Sequence, residues 1–171
     1  MRRIALTGGS VMSLGRMGGR AAQATERAGR AVSEESTTPD LEVRVRRGIE
    51  AYNRRDYDEV MTLYASDVVW DGSPFLGAVF EGREALRGFF EDWAGAYEDF
   101  GQELEEFRDL GHGVTLGVLF QRGRLPGSSE MVTFRYAAVV TWADSLIDRV
   151  TSYTDLDNAR ADAERRAEER G

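Results

Sequence analysis

The chain has 171 residues, 42% hydrophobic and 10% aromatic, which suffices for one buried core plus an appendage. A net charge of −8 speaks against a nucleic-acid partner, which needs a basic stripe, and no apolar run approaches the ~18 residues of a membrane span. Cysteine is absent and all 22 basic residues are Arg, so disulfides, thiolate chemistry, Schiff-base lysines and a Walker-type phosphate lysine are excluded.

Residues 1–38 are rich in Gly, Ala, Ser, Thr and Arg, with six Arg against three Glu, while the rest of the chain is strongly acidic. A disordered or weakly helical arm is expected there. Arg2 and Arg3 resemble the basic end of an export signal, but Thr7-Gly8-Gly9-Ser10 interrupts the apolar run that export requires, so a cytoplasmic location is expected. A folded domain is expected over 39–157. Asp40 can cap a helix whose Leu41, Val45, Ile49 and Tyr52 share a face, and Asn53-Arg54-Arg55 ends it. Asp56 then caps a second helix, with Glu59 in the capping-box position and Tyr57, Val60, Met61 and Tyr64 as its apolar stripe. Val68-Val69-Trp70 reads as a short strand, followed by an irregular loop with Gly72, Ser73, Pro74 and Gly77.

The phrase Glu81-Gly82-Arg83-Glu84-Ala85-Leu86 opens a third helix, on which Leu86, Phe89, Phe90, Trp93 and Tyr97 form one aromatic stripe. Four strands follow: a polar one over Phe100–Phe107, then Val114–Gln121, Met131–Trp142 and Leu146–Tyr153. Turns at Gly111-His112-Gly113, Pro126-Gly127 and Ala143-Asp144-Ser145 are tight, which implies antiparallel neighbours. Residues 158–171 are charged with small Ala positions, and a weak, solvated C-terminal helical tail is expected. The order predicts an α+β fold: a cone-shaped, strongly bent antiparallel sheet with the N-terminal helices packed on its concave side, leaving a cavity at the open end.

Four marks occur in order: Tyr52-Asn53-Arg54-Arg55-Asp56, Tyr64-Ala65-Ser66-Asp67-Val68-Val69-Trp70, Phe80-Glu81-Gly82-Arg83-Glu84-Ala85-Leu86 and Tyr153-Thr154-Asp155. Over about Leu41–Asp157 the chain resembles the SnoaL-like branch of the nuclear transport factor 2-like superfamily, a cystatin-like fold. That superfamily holds ketosteroid isomerases, polyketide cyclases, epoxide hydrolases and proteins that only bind or transport, so the fold does not choose an activity. The isomerases use an Asp base with an oxyanion hole of a Tyr and a protonated Asp. The resemblance places those three positions on Gly48, on Gly72 beside Asp71, and on Ala138, so none carries the group the isomerases use.

Two function classes follow. The first is a protein binding a small hydrophobic molecule in an apolar-aromatic cavity lined by Tyr52, Trp70, Phe89, Trp93, Tyr97, Phe134 and Tyr136. Strand alternation puts Val132, Phe134, Tyr136, Ala138, Val140 and Trp142 on one face, with Tyr136 as the polar handle. The second is an isomerase, cyclase or hydrolase acting on a steroid- or polyketide-like substrate, with Asp71 as base and Arg122 or Tyr136 stabilising an oxyanion. Arg122 shares strand parity with Val114, Leu116, Val118 and Phe120, and so is expected to reach the open end. An Arg between two acids, as an epoxide hydrolase would need, restricts the choice to Arg122, Asp71 and Asp155. His112, the single histidine, lies in a Gly-flanked turn without a partner, and no metal site or cofactor is expected. The outer sheet face, with Thr133, Arg135, Ala137 and Val139, is the expected surface of a homodimer.

Overall fold

The computed structural model describes residues 38–171, so the arm expected over 1–38 lies outside the described residues except for Thr38. Three helices, α1 (Thr38–Asn53), α2 (Tyr57–Met61) and α3 (Arg83–Gly95), combine with two early strands, β1 (Tyr64–Asp71) and β2 (Val79–Glu81). Four longer strands follow, β3 (Glu98–Gly111), β4 (Val114–Arg124), β5 (Met131–Ala143) and β6 (Leu146–Tyr153), and then α4 (Leu156–Arg170). None of the described helices is long and apolar enough to cross a membrane.

Local chemistry sets the element ends. Asp56 caps α2 by accepting the Glu59 N–H at 3.1 Å. That helix is only one turn long. Tyr64, expected on its apolar stripe, instead opens β1, where the alternation of Tyr64 to Trp70 continues as strand. Gly82 precedes α3 at φ 82°, ψ 157°, a region that only glycine occupies without strain. Its N–H donates to the Val68 carbonyl at 2.7 Å, which ties the start of α3 to β1.

The sheet order is β2-β1-β6-β5-β4-β3. The three strand pairs joined by tight turns are antiparallel, as their turns dictate, but β1 lies parallel to β6. No hairpin joins β1 to β6, so no short connection forces their directions to oppose. The inner face packs against α1–α3 through a core that includes Leu41, Tyr52, Val68, Trp70, Leu86 and Val150.

The outer face is covered as well. Val114, Leu116, Ala137 and Val139 pack against Ala159, Ala163 and Ala167 of α4. The segment 158–171 is therefore a docked helix, not a solvated tail: its small Ala positions let the backbone approach the sheet closely. Asp155 caps it through the Asp157 and Asn158 N–H groups at 2.9 and 3.0 Å. Arg166 clamps it, pairing with buried Asp162 at 2.7 Å and donating to Thr151 Oγ1 at 2.9 Å. Ala137 and Val139, expected on a dimer surface, are consequently under α4; Thr133 and Arg135 stay exposed, with Arg135 paired to Glu105 at 2.6 Å.

Candidate ligand cavity

The inner face encloses a cavity of about 120 Å³. Because side chains alternate along a strand, β4 contributes Thr115, Gly117, Leu119 and Gln121, and β5 contributes Tyr136, Ala138 and Val140. From the helices come Ile49, Tyr52, Phe89 and Trp93. Gly48 permits the tight approach of α1, since a Cβ there would sit 2.2 Å from Leu63 Cδ1.

An aromatic cap closes one side. Phe75 lies on the loop between β1 and β2, its ring parallel to Tyr136 (centroids 5.7 Å, 3°) and against Phe134 (5.6 Å) and Trp93 (6.0 Å). The Gly72 carbonyl builds that loop by accepting the N–H groups of Phe75 and Gly77 at 2.9 and 3.2 Å.

A polar row runs through the otherwise apolar lining. Asn53 clamps the Gln102 backbone in both directions: its Nδ2 donates to the Gln102 carbonyl and its Oδ1 accepts the Gln102 N–H, each at 2.8 Å. Gln102 stands opposite Gln121 in the β3–β4 register, and Trp93 Nε1 donates to Gln121 Oε1 at 3.1 Å. The Gln102 amide acts to lower the Tyr136 pKa, against the burial that raises it. Two side-chain atoms of lining residues, Gln102 Oε1 and Ser152 Oγ, are buried without a hydrogen-bond partner among the described residues. Burial pushes the Tyr52, Tyr64 and Tyr136 phenols well above their ordinary range, and neighbouring tyrosines add to this for Tyr52 and Tyr136. All three are neutral in the physiological range. Among the described residues no Asp, Glu, His or Arg lines the cavity.

Of the residues read from sequence, Tyr52, Trp70, Phe89, Trp93 and Tyr136 meet at the cavity. Phe134 belongs to the cap, and Tyr97 packs over Gly123, where a Cβ would come within 2.8 Å of its ring; neither lines the cavity. Asp71 does not line it either. Trp70 points inward, so its neighbour points out, and Asp71 accepts the Ser73 N–H at 3.0 Å and pairs with Arg149 at 3.2 Å. Burial acts to raise its pKa, but the Ser73 hydrogen bonds and the Arg149 guanidinium outweigh it and hold the carboxyl below its ordinary value.

Arg122 is likewise outside. Its parity partners Val114 and Leu116 face α4, and the exposed guanidinium pairs with Glu103 at 3.1 Å. Asp155 is occupied as the α4 cap, and His112 sits exposed in its turn, its carbonyl accepting from Arg170. The structure does not bring Asp71, Arg122 and Asp155 to the cavity. Sequence reasoning missed Phe75, Gln102, Thr115, Gln121 and Ser152. The alternation of Thr115, Gly117, Leu119 and Gln121 was the signal for β4, but it resembles a solvent face.

A sequence model of the SnoaL-like domain matches residues 45–150, more than half of the chain. The chain belongs to the SnoaL-like family. Solved structures agree on the fold. Bal32a, from a soil-derived mobile gene cassette, is 19% identical and aligns over 74% of this chain and 97% of its own, with a TM-score of 0.61. A protein of ketosteroid isomerase-like fold from Catenulispora acidiphila, in complex with trimethylamine, is 17% identical over 74% and 94%, at 0.59. A Mycobacterium tuberculosis protein in complex with estradiol-17beta-hemisuccinate is 19% identical over 71% and 97%, at 0.58. No curated protein matches the sequence. In this SnoaL-like protein the lining chemistry is that of neutral amides, hydroxyls, phenols and aromatic rings.

Proposed function

We propose that this SnoaL-like protein binds a small, flat, uncharged and mainly apolar molecule in the aromatic cavity, without acid–base chemistry. The observation that carries this is the lining itself: no ionisable carboxylate, imidazole or guanidinium among the described residues, and phenols that burial keeps protonated. A charged ligand would enter with no counter-charge and a desolvation cost of several kcal/mol. Size points the same way. A cavity of about 120 Å³ is close to the ~150 Å³ apolar cavity known to hold benzene, and below the ~300–1,000 Å³ of sites for larger ligands. A volume of that size holds roughly one aromatic ring. A steroid- or polyketide-sized occupant, like the steroid ester in the mycobacterial relative, would require Phe75 to leave its stack. The enzymatic reading with Asp71 as base has no support in the placement of that carboxylate.

The test is a titration with toluene, naphthalene, estradiol and benzoate, read by melting temperature and by the fluorescence of Trp70 and Trp93. Toluene should raise the melting temperature in a concentration-dependent way, and Trp93→Ala should reduce that rise. Absence of any response to the three neutral compounds, or a response to benzoate alone, would overturn the reading.

A further inference from the structure

We propose that the loop between Asp71 and Val79 is the door of the cavity, with Phe75 as its latch and as the residue that sets the largest ligand admitted. The size limit rests on the ligand-cavity reading above. The door is a property of the fold and is tested without a ligand.

The loop is a self-contained unit. Its base is held by the β1–β2 pairing, where Asp71 stands opposite Val79. The Gly72 N–H donates to the Ala78 carbonyl at 2.9 Å, the Gly72 carbonyl accepts from Phe75 and Gly77, and the Ser73 N–H donates to Asp71 Oδ1 at 3.0 Å. Each of these bonds closes within residues 71–78, so swinging the loop outward leaves them intact. Ser73, Pro74, Leu76 and Gly77 are exposed, and a Cβ on Gly77 would meet nothing within 4 Å. Phe75, at the tip, is half-buried, and its ring contacts lie on other elements: Trp93 on α3, and Phe134 and Tyr136 on β5. One side chain latches the loop to the body of the domain.

The other walls resist opening. Continuous antiparallel ladders join β4, β5 and β6. The two Asn53 hydrogen bonds to the Gln102 backbone tie α1 to β3, and the Gly82 N–H ties the start of α3 to β1. Parting any of these walls breaks hydrogen bonds in a buried setting, which is costly. Moving the loop breaks ring contacts, which are individually weak. Local opening follows the least costly route, and here that route is the loop. Because the Phe75 ring lines the cavity, its outward swing adds the space of about one aromatic ring, enough for a two-ring ligand.

The chain has no cysteine, so a single thiol placed in the lumen reports the door. Ala138→Cys puts one on the cavity wall, and its reaction with methyl methanethiosulfonate measures how often the cavity opens. That thiol should react about a hundredfold more slowly than a free one, as for a minor open state. Adding Phe75→Ala should speed the reaction about tenfold, with Phe75→Leu between the two. Leu116→Ala, in the core under α4, is the control for lost stability. A rate unchanged by Phe75→Ala overturns the door. So does an equal acceleration by Leu116→Ala, which would mean entry by global unfolding, or a thiol as reactive as a free one before Phe75 is changed. Size is read separately by tryptophan fluorescence: Phe75→Ala should shift the preference between naphthalene and toluene about tenfold toward naphthalene. An unshifted preference overturns the role of Phe75 in size. If neither hydrocarbon binds either protein, the ligand-cavity reading falls and the size limit with it, while the labelling rates still decide the door.

Discussion

Asp71 shows how neighbours one residue away decide a carboxylate's role. It stands next to cavity-lining Trp70, yet strand alternation turns it outward to Ser73 and Arg149. Its folded pKa lies below the unfolded value, so its contribution to stability is full above the unfolded pKa and is lost as pH falls through the folded one. Asp71→Asn should therefore lower stability at pH 7 by less than about 1 kcal/mol, as expected for a half-exposed ion pair, and the difference should vanish in strong acid. Urea unfolding at the two pH values measures this. Ligand affinity should not change, and a large loss of binding in Asp71→Asn would place the carboxylate in the site after all.

At the scale of elements, α1–α3, the long strands and the aromatic stripe of α3 are legible in the sequence because each has a clear period bounded by Gly, Pro or Asp. What misled was β4. Its residues Val114, Leu116, Val118 and Phe120 form the purely apolar face, which by simple partition belongs to the cavity side. They lie instead on the outer face, where Val114 and Leu116 meet α4, and the mixed set Thr115, Gly117, Leu119 and Gln121 faces the cavity. Arg122 was carried outward by the same inversion. Polarity alone cannot tell a ligand-facing wall from a solvent face, because both alternate, and α4 gives little warning as its buried stripe is only alanine. Docking of α4 is directly testable. Ala163 is fully buried, and Ala163→Glu would press an unpaired charge onto Val114, Leu116 and Val139. Its cost should be about 3 kcal/mol or more, against less than about 0.5 for the exposed control Glu168→Ala. A solvated tail would make the two variants alike in thermal or urea unfolding.

For the whole molecule, the question is why a sheet covered on both faces retains a hole. A cavity of about 120 Å³ forgoes roughly 3 kcal/mol at ~24 cal/mol per Å³, a sizeable share of the ~5–15 kcal/mol that holds a domain together. The walls that keep it open are small residues at positions where larger ones would fit the strand equally well. Ala138 is the most exposed of these to the lumen, central on β5 between Tyr136 and Val140. Ala138→Leu adds three carbons into that space, a volume the cavity can take without moving the backbone. If the hole serves ligand binding, the variant should unfold at least as high as the wild type, with a gain of up to about 2 kcal/mol, a rise of several degrees for a domain of this size. Its affinity for small aromatic ligands should fall by at least tenfold, because the added side chain takes up cavity volume that a ligand would fill. Stability and binding then move in opposite directions, as they do where a site is kept at the expense of packing. The competing outcome is equally clear: a destabilised Ala138→Leu would mean that the rings around it already meet closely, and the cavity would be a packing defect with no ligand to explain it.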